Sequence, residues 1–98
     1  MQFEFADKKL ERLYVDKGFS ASLAPAIVKG FRKAMQAIDA ATDERDLYDR
    51  PALRFEKMKR NPPSEHSLRV NDQYRLIVLL LGEAPNKYFR IMEIEDYH

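Results

Sequence analysis

Asp96, Tyr97 and His98 follow one another in the closing stretch EIEDYH. All three side chains can hold or move a proton. On a strand, residues two apart share a face, so Asp96 and His98 would lie together with Tyr97 turned the other way. A carboxylate beside an imidazole raises the imidazole pKa and can fix its orientation, which suits a proton donor or acceptor near neutral pH. Tyr97 offers an aromatic face for a nucleobase, or a phenol for hydrogen bonding. The tripeptide alone is equally consistent with a solvated tail.

The cations are unevenly placed. Residues 50–75 carry Arg50, Arg54, Lys57, Lys59, Arg60, Arg69 and Arg75 against Glu56, Glu65 and Asp72, a local net charge of +4. The residues before this block sum to −1 and those after it to −2, for a chain total of +1. A basic block on a near-neutral chain points to a local anion site rather than general adhesion to nucleic acid.

At 98 residues the chain is expected to form one domain over 1–98, with no Pro-, Gly- or Ser-rich linker dividing it. No cysteine is present, which excludes disulfides, thiolate metal sites and a cysteine nucleophile. Two histidines, His66 and His98, are too few for a histidine-built metal centre, so neither metal nor cofactor is expected. The start MQFEFADKKLERL has charges where a signal peptide needs an apolar stretch, and the apolar run Leu76–Gly82 is too short to span a bilayer. A cytoplasmic protein is expected.

These groups must be positioned by elements that the sequence outlines. Phe3 and Phe5 alternate with polar residues, as in a short strand. Asp7 can cap a helix carrying Leu10, Leu13 and Tyr14, with Gly18 suited to the left-handed position after it. Leu23, Ile27, Phe31, Met35 and Ile38 mark one face of a second helix reaching about Ala41, with Ser20 or Ser22 as cap and Pro25 in its first turn. TDERDLYDR predicts a short third helix ended by Pro51. From Leu53 the period falls to two. LRFEKMK, HSLRV, QYRLIVLLL and YFRIMEIEDYH read as strands, and RNPPSE as a loop.

The middle hairpin fixes its own register. Leu68, Val70, Tyr74, Leu76, Val78 and Leu80 are all even-numbered, and a slip by one would turn every one of them outward. A three-residue loop, Asn71-Asp72-Gln73, pairs Val70 with Tyr74 and sets Arg69 directly opposite Arg75. Like charges in that relation are destabilising. Either a nearby carboxylate or an anionic ligand must offset them, unless both splay into water.

Three pieces in one order, EKMK, then HSLRVNDQYRLIV, then IMEIEDYH, follow a two-helix hairpin. In this the chain resembles the HigB family of bacterial toxins within the RelE/ParE superfamily. The resemblance runs along essentially the whole chain and is sharpest over Ser67–Leu76 and Glu95–His98. It implies an α+β, RelE-like fold: an N-terminal strand and a two-helix hairpin packed on a twisted, mainly antiparallel sheet. It also implies a metal-independent endoribonuclease that cuts mRNA in the ribosomal A site, and neutralisation by a HigA-like helix-turn-helix antitoxin. Asp96, Tyr97 and His98 match the family's terminal catalytic motif, Arg75 the arginine after N-D-Q-Y, and Lys59 the turn lysine. Asn71 and Gln73 match loop positions near bound RNA. Arg69, Lys57 and Arg60 join the RNA-binding set by position and charge. Two departures stand out. Arg60-Asn61-Pro62-Pro63 replaces the usual glycine after the turn lysine, and Glu56 stands where some members have a histidine. Glu56 could serve as a base or pair with Lys59 or Arg60. His66 falls where relatives often carry an aromatic residue, which suits packing or stacking.

Two other functions fit the same fold. A ParE-like toxin acting on DNA gyrase would leave Asp-Tyr-His idle, and a degenerate toxin kept as an antitoxin-binding partner would explain the altered turn.

Overall fold

The structure, a computed structural model, describes residues 1–97. Its elements run β1 (Gln2–Phe5), α1 (Lys8–Val15), α2 (Pro25–Ala40), α3 (Glu44–Tyr48), a 3-10 turn (Pro51–Leu53), β2 (Glu56–Lys57), β3 (Glu65–Arg69), β4 (Tyr74–Leu81) and β5 (Tyr88–Asp96). The strands form one sheet in the order β1-β5-β4-β3-β2. Among the described residues only the β1–β5 pair is parallel. The fold is therefore α+β with a mainly antiparallel sheet. No helix among the described residues is long and apolar enough to cross a membrane.

One face of the sheet carries the core. Phe31, Met35 and Ile38 of α2 and Leu10 and Leu13 of α1 pack with Leu68, Val70, Leu76, Val78, Phe89 and Ile91. The even-numbered face expected for the hairpin is the one that packs. Val70 N–H donates to the Tyr74 carbonyl (3.0 Å), and Arg69 is the register partner of Arg75. The helix can approach this closely because α2 carries Gly30, where an added Cβ would lie 1.9 Å from the Val70 carbonyl oxygen.

Asp7 caps α1, its carboxylate accepting the Lys9 N–H (2.7 Å). The other end differs from expectation, because Gly18 does not occupy the left-handed region. Its N–H instead donates to the Asp16 side chain (3.0 Å), and Arg32 of α2 donates to the Leu13, Asp16 and Phe19 carbonyls. A side-chain turn and a guanidinium thus satisfy the helix end in place of a glycine cap. Nor do Ser20 or Ser22 cap α2: Ala24 is its N-cap and makes no side-chain bond, while Pro25 opens the helix. A proline there leaves one fewer N–H to satisfy.

Two corrections concern strands. The stretch from Leu53 is not a strand until Glu56, since Pro51 starts a 3-10 turn and Arg54 takes φ 46°, in the left-handed region. Only Glu56 and Lys57 pair with β3, and β2 is a minimal edge strand. On β5, Ile77 pairs with Glu93 but Val78 pairs with Ile91, so Met92 is an extra residue in a bulge. Core positions on β5 are therefore odd before it (Phe89, Ile91) and even after it (Ile94).

Candidate functional site

The bulge decides which side chains of the last strand meet Arg75. By register Glu95 faces Arg75, Ile94 faces Leu76 and Asp96 faces Tyr74. Glu95 and Tyr97 therefore belong to the sheet face away from the helices, together with Arg75, Arg69, Ser67 and Glu56, whose register partner is Ser67. Bulges commonly re-aim side chains in this way.

Arg75 is the centre of this face, and it is only 5% exposed. Its Nη2 donates to the Arg54 carbonyl (2.5 Å) and to Ser67 Oγ (2.9 Å). The Glu56 carboxylate lies 3.2 Å from the same nitrogen. The Tyr97 ring covers the guanidinium, 5.1 Å from Cζ to the ring centroid, within range of a cation–π interaction. Arg54 accepts this bond from its left-handed conformation, which costs a non-glycine residue roughly 1 kcal/mol or more. Arg75 Nε is left without a partner, the only such buried side-chain nitrogen or oxygen among the described residues. The arrangement holds a fixed guanidinium under an aromatic ring with one N–H uncommitted.

The facing arginines are offset by carboxylates, one of the three resolutions the sequence allowed. Arg69 bonds Asp72 at 2.5 Å, and its guanidinium holds the Asp72 carboxyl below the usual aspartate range. Arg75 has Glu56, which pairs with it rather than with Lys59 or Arg60. Arg60 in turn grips Glu65 and makes a two-pronged bridge to Glu95 (3.0 and 2.6 Å). The Arg60 guanidinium pulls Glu95 below the ordinary glutamate value.

The loop residues hold the end of β5. Asn71 Oδ1 accepts the N–H groups of Gln73 (2.9 Å) and Tyr74 (2.8 Å), which closes the hairpin loop. The Gln73 side-chain amide donates to Asp96 (3.1 Å), and the Gln73 backbone carbonyl accepts the Tyr97 N–H (2.7 Å). Lys59 is exposed in the β2–β3 turn.

Three candidates lie on the other face by register. Asp96 aligns with Tyr74, Lys57 with His66, and His66 with Val78. His66 is buried and stacks on Phe55, with ring centroids 5.1 Å apart and planes 9° apart, while its Nδ1 lies 2.8 Å from the Ser64 carbonyl. His98, the residue expected to carry proton transfer, lies outside the described residues.

Sequence reasoning missed Ser67, Glu65, Glu95 and the Arg54 carbonyl. Ser67 was within reach of it, because the register that opposes Arg69 to Arg75 also puts Ser67 on their face. Two concavities lie elsewhere. One of about 600 Å³ beside the α1–α2 loop is lined by Lys17, Phe19 and Lys29, and one of about 480 Å³ between α2 and the end of β3 is lined by Lys33, Arg50 and Arg69.

The profile of a family described as RelE-like toxin of type II toxin-antitoxin system HigB matches residues 3–92. The chain belongs to the HigB-like toxin family. Toxin HigB-1 of Vibrio cholerae is 38% identical over 89 residues, which span 90% of this chain and 94% of that protein. Among solved structures, a YoeB/ParE toxin from Agrobacterium tumefaciens superposes with a TM-score of 0.58 at 11% identity over the full length of both chains. A chain of the YoeB–YefM complex from Staphylococcus aureus gives 0.56 at 20% identity, covering 100% of this chain and 97% of that one. At such identities the structural likeness establishes the fold alone. The family match ends at Met92, so Asp96, Tyr97 and His98 are not what places this HigB-like chain in its family.

Proposed function

We propose that this HigB-like toxin is a ribosome-dependent, metal-independent endoribonuclease that cuts mRNA in the A site and is neutralised by a HigA-like antitoxin. The observation that carries the reading is Arg75: a buried guanidinium with Nε uncommitted, covered by Tyr97 and preceding the segment that ends in His98. A phosphate oxygen is a natural acceptor for such a donor once the Tyr97 ring that covers it moves aside, and a charge-assisted bond there is strong.

In the proposed reaction the 2′-OH attacks the adjacent phosphorus. The O2′–P bond forms, the P–O5′ bond breaks, and a 2′,3′-cyclic phosphate and a 5′-OH result. One proton leaves the 2′-OH and one reaches O5′. His98 carries the proton transfer, tuned by Asp96, whose carboxylate the Gln73 amide holds. Arg75, with Lys59 and Arg69, stabilises the charge that builds on the phosphorane. Tyr97 stacks on or positions a base. Lys57, Asn71 and Gln73 complete the RNA-binding set read from the sequence. The ribosome supplies the orientation of the strand, which an open site on a small protein cannot.

The test is induction of wild type and His98→Gln, with 5′ ends of cellular mRNA mapped. Codon-phased cuts that fall by roughly 10²–10⁴-fold in the variant support the assignment. Equal cutting by the variant removes His98 from the chemistry. DNA damage with intact mRNA would instead indicate a ParE-like action on gyrase. One observation favours a degenerate toxin that only binds its antitoxin: Glu56 already neutralises Arg75. Neither cuts nor DNA damage would establish that reading.

A further inference from the structure

Arg60 stands in the β2–β3 turn immediately after Lys59, and its sequence position suggests a cation offered to RNA. Its contacts describe something else. Its Nε bonds Glu65 at the start of β3, and its two Nη atoms take both oxygens of Glu95 on β5. β3 and β5 flank β4, so Arg60 reaches over β4 on the face that carries Arg75. Glu95 is the register partner of Arg75 and lies two residues before Tyr97. The base of the turn is already closed by the Met58 N–H on the Glu65 carbonyl (2.9 Å). Arg60 adds a second attachment, from the turn across the sheet to the strand that ends in Tyr97. One cation held by two carboxylates makes a group of net charge −1, which repels a phosphate rather than attracting it.

We infer that Arg60 is a positioning residue. It fixes the turn bearing Lys59 against the Arg75–Tyr97 face by gripping Glu65 and Glu95, and it does not contact RNA itself. Lys would not replace it, because only the planar guanidinium fork can take both oxygens of one carboxylate while reaching a second. The inference rests on the nuclease reading for its effect on rate, but not for the clamp itself.

The test uses Arg60→Ala, Arg60→Lys and Glu95→Gln in the full chain, with two measurements. Amide hydrogen exchange at residues 58–61 and 64, the turn positions that carry an N–H, should accelerate at least several-fold in all three, whatever the protein's activity. In a translating extract, each variant should cut mRNA with a kcat about tenfold or more below wild type and an unchanged KM. The double variant Arg60→Ala with Glu95→Gln should be no worse than either single change. An RNA contact predicts the reverse pattern. Glu95→Gln would release Arg60 and tighten binding of an RNA oligonucleotide, and Arg60→Ala would weaken it and lower its salt dependence by about one charge. Either that pattern or unchanged exchange in the turn would overturn the inference. If wild type does not cut mRNA, the nuclease reading falls, and the exchange rates still decide the clamp.

Discussion

Arg75 and Glu56 form an ion pair whose halves should respond very differently to mutation. Arg75 is buried and donates to a backbone carbonyl and to Ser67, whereas the Glu56 side chain is 54% exposed. Lysine at position 75 keeps the charge, but its ammonium sits one bond short of Nη2, the nitrogen that makes both bonds, leaving buried polar groups unsatisfied. Arg75→Lys should cost roughly 1–3 kcal/mol of folding stability. Glu56→Gln should cost less than about 1 kcal/mol, as expected of a half-exposed pair. Urea denaturation midpoints with unchanged m-values would measure both. Equal losses would show that Arg75 is held by its charge partner and not by the Arg54–Ser67 cradle. The sequence revealed the arginine pair because six apolar positions of one parity permit a single register. It could not reveal Glu56 as the partner, because that contact depends on a left-handed Arg54 and a two-residue edge strand, neither of which has a periodic signal.

At the scale of elements, the site depends on how closely α2 lies on the hairpin that carries Arg69 and Arg75. The second helix was legible from its four-residue apolar spacing, and the strands from their alternation. What could not be read was the contact between them. Gly30 gives no sign in sequence that it meets the Val70 backbone, and Met92 gives none that it interrupts an otherwise regular strand. Gly30→Ala places a Cβ within 1.9 Å of a carbonyl oxygen, a clash only movement of the helix can relieve. Such overpacking costs about 1–3 kcal/mol or more. Gly18→Ala is the control: its Cβ would meet only the Asp16 side chain at 3.5 Å, and its backbone is not left-handed. There the lost freedom of the unfolded chain should leave stability unchanged or raised by up to about 1 kcal/mol. Thermal midpoints of the two variants measure the difference, and a Gly30→Ala protein as stable as wild type would mean that the helix is not seated on Val70.

Across the whole molecule, ion pairs join segments far apart in the chain: Lys87 to Glu44 at 2.7 Å, Arg90 to Glu4 at 2.8 Å, and Arg60 to Glu95. Sequence separations of 43, 86 and 35 residues put all three beyond any local reading. The overall charge of +1 conceals them as well. Two of their carboxyls titrate below the ordinary glutamate value of 4.5, Glu44 because Lys87 bonds it and Glu95 because Arg60 does. A carboxyl depressed in the folded state adds stability that is complete above its unfolded pKa and disappears as pH falls through the folded one. Stability should therefore be level from neutrality down to about pH 5 and decline below it. Glu44→Gln and Glu95→Gln should each start lower at neutral pH, decline less steeply, and approach wild type in acid. Denaturation midpoints between pH 7 and 3 test this directly. If the double variant declines as steeply as wild type, acid sensitivity comes from other carboxylates, and these bridges fasten the sheet to its surroundings without stabilising it.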